Sequence, residues 1–353
     1  MIEWATVRIT LCLVVLYAAL AVTTACTRDT AKQGLRRITI VGPLTTFMWP
    51  AYIADQGGYY RKYGLDVRLV FANHPADVAM LTSGEADVNM NTLDHGMQLT
   101  ARQRSFKLFG SPLRKWLFAL IGRRDLHGVE DLKGKRIGIT QLGGSTHNYA
   151  AQILAFSGVA PDKVQWVSLG SNSRAAALIS GRVDATMLSA PSYFPLQEDG
   201  FTELANIKNI DRIHTTNVFI IKNETLTRIP NLPELLIQAQ AEAVKRYYDD
   251  APFAIQSYLA YDKMGAEGLQ QVYDKYASDS SFDKVPYISS PAVSYVIENN
   301  VDAAVRNQMK TTDYSQIIDN RTVDRLASRH FFEEIFGISV RNQQAEGAVA
   351  AFR

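Results

Sequence analysis

Residues 79–90, AMLTSGEADVNM, and residues 176–187, AALISGRVDATM, match without a gap at six of their twelve positions. Each stretch contains a glycine that would end a helix and, three residues later, an aspartate that would begin a strand. The two stretches occupy equivalent places in successive cycles of strands and helices, and their separation is too long for a solenoid repeat. The repeat therefore predicts two lobes of similar construction, with Asp87 and Asp184 in structural roles.

The residues around this repeat alternate short β-rich runs with helical segments. In the first cycle we predict strands at 37–42, 65–72, 86–91 and 106–110, with helices at 50–64, 75–84 and 93–103. In the second cycle we predict strands at 135–140, 163–169 and 183–189, with helices at 145–158 and 173–181. Strands that alternate with helices of this length predict an α/β protein in which each lobe has a mostly parallel sheet with flanking helices.

The last third of the chain is predicted to be helical. Apolar residues recur at helical spacing in LPELLIQAQAEAVKRYYDD (232–250), where Pro233 suits a first turn. Further helices are predicted at 252–260, 265–277, 291–309 and 323–336. Residues 341–353 are predicted to form a frayed tail.

The N-terminus has the features of an export signal. Residues 9–22 carry no charge, and the run is shorter than the roughly 20 residues of a membrane span, so it suits the apolar part of a signal peptide. The following Thr-Ala-Cys resembles a bacterial lipobox, in which the cysteine is acylated. We expect a lipoprotein signal peptide over 1–25, a lipid on Cys26, and a tether over 26–36 that holds the protein at the periplasmic or cell-surface face of a membrane. The alternative is an ordinary cleavage site with Cys26 as a small residue beside it.

Composition and motifs argue against several classes of function. The 37 basic and 35 acidic residues nearly balance and form no basic stripe in the sequence, which argues against nucleic acid as a partner. Cys12 lies in the signal segment, which leaves Cys26 without a partner for a disulfide or a cysteine metal cluster. The chain has neither a Gly-x-Ser-x-Gly elbow nor a P-loop, and His330, Glu333 and Glu334 do not match a His-Glu-x-x-His zinc motif. We therefore expect no catalytic residues, no metal site and no cofactor.

Four motifs together resemble a known family. They are PAYIADQGGYYRKYGLDVRLV (50–70), LTSGEADVNM (81–90), DLKGKRIGIT (131–140) and AALISGRVDATML (176–188). In this order and spacing they resemble the solute-binding proteins of the NMT1/THI5-like and alkanesulfonate/taurine/nitrate group, which are the capture components of ABC importers. The resemblance runs from about residue 37 to 260.

The resemblance implies the type II periplasmic-binding-protein fold, in which a ligand is trapped between two lobes by hinge closure. We place lobe 1 at 37–118 together with 220–340, and lobe 2 at 119–219. The two crossings between the lobes are expected near 117–124 and 214–222. The implied partners are a small-molecule ligand and an ABC permease in the inner membrane, and the protein is expected to be a monomer.

Ligands of open α/β sheets bind at the carboxyl ends of strands, which points to four loops. The candidate ligand-binding residues are Thr45, Thr46, Met48 and Trp49 in the first loop, Thr92 in the second, Ser145, Thr146 and His147 in the third, and Ser189, Ser192 and Tyr193 in the fourth. Core packing is the alternative role for Met48 and Trp49. Helix capping is the alternative role for Ser145.

The ligand class follows from the chemistry of these loops. The hydroxyl groups, and a helix that starts at Ser145 directly after two glycines, favour a small anion such as a sulfonate or carboxylate. The aromatic side chains suit a ligand with an organic part. A thiamine-type pyrimidine or another flat heteroaromatic ring would use the same aromatic residues for stacking. A pyrimidine-forming enzyme on the same fold is a third reading, but its yeast branch is marked by a cysteine-rich motif that this chain lacks. Four arginines lie near the loops in sequence: Arg114, Arg123, Arg124 and Arg174.

Overall fold

The computed structural model describes residues 34–353 except residues 115, 172, 211–215 and 263–265. The predicted signal peptide (1–25), the lipid-bearing Cys26 and most of the predicted tether (26–36) lie outside the described residues. Within the described ranges, every helix is too short or too polar to cross a membrane.

The strands of the described residues form two five-stranded sheets. In chain order they are β1 (Arg36–Gly42), β2 (Leu65–Phe71), β3 (Val88–Thr92), β4 (Phe106–Phe109), β5 (Phe118–Gly122), β6 (Arg136–Ile139), β7 (Gln165–Ser168), β8 (Ala185–Ser189), β9 (Thr202–Asn206) and β10 (Asn217–Lys222). Their order is β2-β1-β3-β10-β4 in the first sheet and β7-β6-β8-β5-β9 in the second. β1 pairs in parallel with β2 and β3, and β6 pairs in parallel with β7 and β8. The equivalent strand orders confirm the predicted two-lobe α/β fold.

One strand of each sheet runs against the other four. β10 is antiparallel to β3 and β4, and β5 is antiparallel to β8 and β9. The prediction of crossings at 117–124 and 214–222 is therefore wrong, because each stretch contains one of these strands. Every residue of β5 is buried, and a strand covered on both faces lacks the alternation of apolar and polar residues that reveals a strand. The segments that join the two sheets are residues 110–117 and 207–216.

The helices of the described residues flank the sheets and form a C-terminal group. In chain order they are α1 (Trp49–Gln56), α2 (Tyr59–Lys62), α3 (Ala76–Ser83), α4 (Leu93–Arg102), α5 (Ser145–Phe156), α6 (Arg174–Ile179), α7 (Phe194–Glu198), α8 (Asn223–Arg228), α9 (Leu232–Asp249), α10 (Ala251–Leu259), α11 (Ala266–Ser278), α12 (Ser290–Glu298), α13 (Ala303–Lys310), α14 (Arg321–Ser328), α15 (Phe331–Phe336) and α16 (Val340–Ala350). The predicted helix 50–64 is divided at Gly58, whose φ of 70° breaks the helical path. The predicted helix 291–309 is divided before Asp302, whose side chain caps the start of α13.

An aromatic cluster holds the C-terminal helices against the first lobe. Trp49, at the start of α1, makes edge contacts with Tyr247 of α9 and Tyr258 of α10, at centroid distances of 5.2 and 5.0 Å. The Trp49 Nε1 group donates a hydrogen bond to the carbonyl oxygen of Ala254 at 2.7 Å. Each such aromatic pair contributes about 0.5–1.5 kcal/mol beyond its buried area. These contacts pack α9 and α10 against α1.

The predicted frayed tail is wrong. Residues 340–350 form α16, and Ala351 pairs with Ser289 in a short antiparallel bridge. The amide of Phe352 donates to the carbonyl oxygen of Ile288 at 2.9 Å. A Cβ on Gly347 would lie 2.8 Å from the Tyr287 ring, so the small residues of this segment allow a close approach that makes the helix part of the fold.

The two aspartates of the internal repeat make the same backbone contacts in the two sheets. Asp87 Oδ2 accepts a hydrogen bond from the Thr39 amide at 2.8 Å, and the Asp87 amide donates to the Thr39 carbonyl oxygen at 2.9 Å. Asp184 Oδ2 accepts from the Arg136 amide at 2.9 Å, and the Asp184 amide donates to the Arg136 carbonyl oxygen at 2.8 Å. Each aspartate thus ties the start of a new strand to the first parallel strand of its lobe, which confirms the predicted structural role.

Candidate functional site

A cavity of about 130 Å³ lies between the two lobes at the carboxyl ends of several strands. Hydroxyl-bearing residues from both lobes line it, as predicted from the four loops: Thr45, Thr92, Ser145, Thr146 and Ser189. The Thr92 and Ser145 hydroxyl oxygens lie 3.2 Å apart, so a hydrogen bond joins the lobes at the cavity wall. The predicted loops do meet at one place, and this cavity is the candidate ligand site.

Three residues predicted to line the site lie in the core. Thr46, Met48 and Trp49 are fully buried. The Thr46 hydroxyl hydrogen-bonds the Tyr276 hydroxyl at 2.9 Å. The loop turns after Thr45 into a short 3₁₀ turn and then α1. Thr46 and Trp49 contact the C-terminal helices, whereas the Met48 sulfur lies against Gly42 of β1. Met48 and Trp49 therefore have the alternative role of core packing, and Thr46 is also a core residue.

Two predicted residues of the fourth loop also face away from the cavity. Tyr193 is fully buried, and its hydroxyl accepts a hydrogen bond from the Asn206 side chain at 3.2 Å. Ser192 is exposed, and its hydroxyl donates to the Ser189 carbonyl oxygen at 2.6 Å. Ser189 is the residue of this loop that lines the cavity.

His147 stabilises the glycine turn before α5 instead of lining the cavity. Its Nδ1 accepts a hydrogen bond from the Gly143 amide at 2.9 Å, and its ring lies edge-on to Trp166 at 4.4 Å. Burial lowers the pKa of His147, with partial compensation by the Asp302 carboxylate. The histidine is therefore a neutral acceptor that fixes the loop.

The start of α5 presents backbone amides to the cavity. The N-cap residue is Gly144, which has no side chain, so the alternative capping role of Ser145 is not what the structure shows. Gly144, Ser145 and Thr146 all line the cavity. The first amides of a helix have no carbonyl partner inside the helix, and the helix dipole adds partial positive charge there. The Thr146 hydroxyl is held by the Thr140 amide at 2.8 Å, which fixes the orientation of this end.

Arg174, the first residue of α6, brings a buried cation to the cavity. Its side chain is 8% exposed and lines the cavity wall. One guanidinium nitrogen donates to the Met187 carbonyl oxygen, whereas Nε has no hydrogen-bond partner among the described residues. Burial lowers the pKa of Arg174 to about 10, so the group still carries its charge at neutral pH. Arg174 forms no ion pair with any carboxylate of the described residues, which leaves a charged donor free to bind an anion.

Arg174 was one of four arginines noted near the loops in the sequence, but it was not assigned to the site, because α6 follows β7 and the loop after β7 was not among the four chosen. The same rule that selected those loops also applies to β7, since its carboxyl end lies at the same edge of the second sheet. A charged residue at the start of the helix SRAAALISG was the available signal.

Aromatic rings form the second wall of the cavity. Trp116 and Phe118 stack at a centroid distance of 4.3 Å with planes 4° apart, and Phe47 meets Trp116 edge-on at 5.5 Å. The Trp116 Nε1 group is buried and has no hydrogen-bond partner among the residues described. Trp116 lies in the 110–117 segment between the sheets, so the prediction of four strand-end loops did not include it.

A histidine–aspartate–histidine group borders the cavity. His74 Nδ1 lies 3.6 Å from Asp77 Oδ1, and His95 Nε2 lies 3.6 Å from Asp77 Oδ2. Asn89 and Asn91 donate hydrogen bonds to Asp77 Oδ2 at 3.0 and 2.8 Å. Burial opposes ionisation of Asp77, but the neighbouring histidines and the Asn89 amide outweigh it and lower the pKa of the carboxyl to about 2. Burial lowers the pKa of His95 despite the attraction of Asp77.

Comparison with known proteins identifies similar chains of two kinds. The 4-amino-5-hydroxymethyl-2-methylpyrimidine phosphate synthase of Schizosaccharomyces pombe is 29% identical over 143 residues, which is 40% of each chain. This chain therefore spans about 40% of the length of the curated relatives that it matches.

The solved structures that resemble this chain include two sulfonate-binding proteins. The alkanesulfonate-binding protein SsuA of Xanthomonas axonopodis pv. citri, bound to MOPS, has a TM-score of 0.67 at 18% identity over 80% of this chain and 98% of its own. The periplasmic aliphatic sulphonate binding protein SsuA of Escherichia coli has a TM-score of 0.66 at 16% identity over 80% of this chain and 92% of its own. These likenesses identify the type II periplasmic-binding-protein fold.

The family assignment rests on a match to more than half of the chain. Residues 45–251 match the family model described as NMT1/THI5 like, and this range contains the four motifs that suggested the resemblance. The chain therefore belongs to the NMT1/THI5-like family.

Proposed function

We propose that this protein is the solute-binding component of an ABC importer and that it captures a small organic anion, of sulfonate or carboxylate type, in the cavity between its lobes. The observation that carries the proposal is the buried guanidinium of Arg174, which forms no ion pair with the described residues and whose Nε has no hydrogen-bond partner among them. A buried cation without a counter-charge is costly, and an anionic ligand would remove that cost.

The rest of the cavity suits the same ligand. Hydroxyl groups of Thr92 and Ser145 and the amides at the start of α5 supply further donors for oxygen atoms of the anion. The stacked Trp116 and Phe118 supply an apolar face for the organic part. A cavity of about 130 Å³ favours a ligand of only a few heavy atoms.

Delivery to a membrane permease is the second part of the proposal. The export signal and the lipid on Cys26, both predicted from the sequence, would hold the protein at the outer face of the membrane as a tethered monomer. Contacts across the cleft suit capture by hinge closure: the Gln98 side chain donates to the Gly143 carbonyl oxygen at 3.0 Å, beside the Thr92–Ser145 hydrogen bond.

A heteroaromatic solute, such as a thiamine-type pyrimidine, is the alternative ligand for the same transport role. The unpaired Trp116 Nε1 donor and the stacked ring pair favour a flat body that carries acceptor atoms. This alternative leaves the Arg174 charge without a partner unless the ring carries an acid group.

A pyrimidine-forming enzyme is the second candidate function, favoured by the similarity to 4-amino-5-hydroxymethyl-2-methylpyrimidine phosphate synthases. The His74–Asp77–His95 group supplies titratable side chains at the cavity, as such an enzyme would need. The cysteine-rich motif of the yeast branch is absent, since the whole sequence contains two cysteines.

A thermal-shift screen tests the proposal. The protein carrying Cys26→Ser would be mixed with alkanesulfonates, taurine, small carboxylates, nitrate, riboflavin and aminopyrimidines, and each solute would afterwards be recovered and identified by mass spectrometry. A ligand at 100 times its Kd stabilises the fold by about 2.7 kcal/mol. Stabilisation by an organic anion that is recovered unchanged is expected. Stabilisation by aminopyrimidines alone would favour the alternative ligand, and conversion of the solute would favour the enzyme.

A further inference from the structure

We propose that His74, Asp77 and His95 form a binding site for one divalent transition-metal ion, such as Zn²⁺, in the wall of the cavity. This inference goes beyond the transport role and does not depend on it, because the site is built from the chain's own side chains. It differs from the expectation, drawn from sequence motifs, that the protein has no metal site.

The spacing of the three side chains fits metal coordination better than hydrogen bonding. The nitrogen–oxygen distances of 3.6 Å on each side of Asp77 are too long for hydrogen bonds. In a tetrahedral site with metal–ligand distances of about 2.0–2.2 Å, neighbouring ligand atoms lie about 3.3–3.6 Å apart. One ligand atom from each of the three residues lies within 4.8 Å of the other two. His74 Nδ1 lies 3.6 Å from Asp77 Oδ1, whereas His95 Nε2 lies 3.6 Å from Oδ2, so a rotation of the His95 imidazole toward Oδ1 would complete the site.

The ligand atoms are buried and lack other partners. His74 Nδ1, Asp77 Oδ1 and His95 Nε2 form no hydrogen bond with any described residue. Asp77 is fully buried, and the described chain offers it no lysine or arginine as an ion-pair partner. A buried carboxylate with a free oxygen is costly, and a bound cation would remove that cost.

The surroundings hold the aspartate in place. Asp77 lies in the first turn of α3, and the amide groups of Asn89 and Asn91 on β3 hold its Oδ2. Such secondary hydrogen bonds orient metal-binding carboxylates and typically change metal affinity by 10- to 100-fold when they are removed. Oδ1 is left for the metal.

The donor set selects the class of ion. Two imidazole nitrogens and one carboxylate oxygen suit zinc and its neighbours in the first transition row, whereas Mg²⁺ and Ca²⁺ prefer oxygen ligands. His74 and His95 both line the cavity. A metal held by three side chains would therefore have an open position toward the cavity, where water or an acidic group of a solute can bind.

A metal titration without any solute tests this inference. Protein without a polyhistidine tag would be freed of metal with a chelator and titrated with Co²⁺, whose visible absorption reports its coordination, and Zn²⁺ would then be added as a competitor. One Co²⁺ per chain, displaced by one Zn²⁺, is expected. His74→Gln and His95→Gln would each weaken binding at least tenfold.

His330→Gln is the matched control, because His330 also faces a carboxylate, that of Glu333 at 3.0 Å, but lies exposed on the surface. The control should bind Co²⁺ as the wild type does. Circular dichroism of each metal-free variant checks folding, and two separate histidine variants ensure that one unfolded variant does not decide the result. The inference is overturned if the wild type binds no stoichiometric Co²⁺, or if the folded histidine variants bind it unchanged. Because no solute is present, either result leaves the proposed transport role to its own test.

Discussion

Arg174 shows how one side chain can define the chemistry of a cavity. It is 8% exposed, it lines the cavity, and its Nε has no partner among the described residues. The Thr92 hydroxyl belongs to one lobe and the Ser145 hydroxyl to the other, so the relative position of these two donors depends on closure of the lobes. The guanidinium adds a fixed charge that distinguishes an anionic solute from a neutral one.

Replacing Arg174 should abolish this discrimination. Arg174→Met removes the charge but keeps a side chain of similar length, and we expect it to weaken binding of an organic anion by about 10- to 100-fold, as loss of a charged hydrogen bond does. Arg174→Lys should retain part of the affinity. Isothermal titration calorimetry with the best solute of the screen measures both. Arg341→Gln, at an exposed surface position, serves as the control, and equal affinities of Arg174→Met and the wild type would disprove the assigned role.

Asp184 should make stability depend on pH. Its carboxylate is 7% exposed and pairs with Arg123 at 3.0 Å and Arg136 at 3.1 Å. Burial opposes ionisation of Asp184, but hydrogen bonds from Arg136 and the charge of Arg123 outweigh it and lower the pKa. Since the pKa is lower in the folded than in the unfolded state, the stabilisation is complete above the unfolded value of about 3.9 and is lost as the pH falls through the folded value.

We therefore expect Asp184→Asn to lower the free energy of unfolding by about 1–3 kcal/mol at pH 7, with a smaller difference from the wild type at pH 3. Urea denaturation at the two pH values measures this difference. Asp162→Asn, at an exposed position beside Lys163, should change stability by less than about 0.5 kcal/mol. A difference for Asp184→Asn that is equally large at pH 3 would show that the charge is not its cause.

At the scale of elements, the sequence predicted the strands and helices whose patterns are local. The parallel strands β1 to β3 and β6 to β8 were found within a few residues, because glycine stops and alternating β-rich runs mark them. β5 and β10 were predicted as connections, because a strand with a neighbour on each side and cover on both faces is apolar throughout and lacks the alternation that marks a strand. β9 was missed because TELAN is a half-exposed strand with little β-branched character.

The C-terminal segment gives an element-scale prediction. Three contacts hold the residues that follow α16. The Phe352 amide donates to the Ile288 carbonyl oxygen, and the Asn320 side chain donates to the Phe352 carbonyl oxygen at 3.0 Å. Arg353 forms an ion pair with Asp324 at 2.5 Å. Removing residues 351–353 should lower the melting temperature by at least about 2 °C, because each 1 kcal/mol lost shifts it by about 2–4 °C in domains of this order.

Differential scanning calorimetry measures that change. Val349→Ala is the control, because Val349 is 89% exposed and lies on the same helix. If the truncated protein has the same melting temperature as the wild type, the C-terminal end forms a frayed tail, as the sequence predicts.

At the scale of the whole molecule, the two lobes meet over the cavity. The Thr92–Ser145 hydrogen bond and the Gln98–Gly143 hydrogen bond both cross the cleft, and Asn148 accepts from the Val301 amide at 3.0 Å. The sequence predicted two lobes and the loops that face each other, because strand ends and helix starts are local features. It could not predict which side chains turn inward: Trp49 points to the core and Arg174 to the cavity, and tertiary packing decides both.

A cross-link tests whether this cleft must open for a solute to enter. In a Cys26→Ser background, Thr92→Cys and Ser145→Cys together would place two sulfur atoms where hydroxyl oxygens now lie 3.2 Å apart. The oxidised protein should take up the solute at least tenfold more slowly than the same protein after reduction, as measured by stopped-flow tryptophan fluorescence. Equal rates in the two redox states would contradict entry through lobe opening.

The central claim is that the cavity binds an organic anion without transforming it. The most direct measurement is a calorimetric titration with the best anion of the screen, followed by mass spectrometry of the solute released from the complex. The proposal predicts saturation at one solute per chain and recovery of the solute unchanged. If heat is still released after saturation and mass spectrometry finds a new product, the protein is an enzyme and the proposed binding role is contradicted.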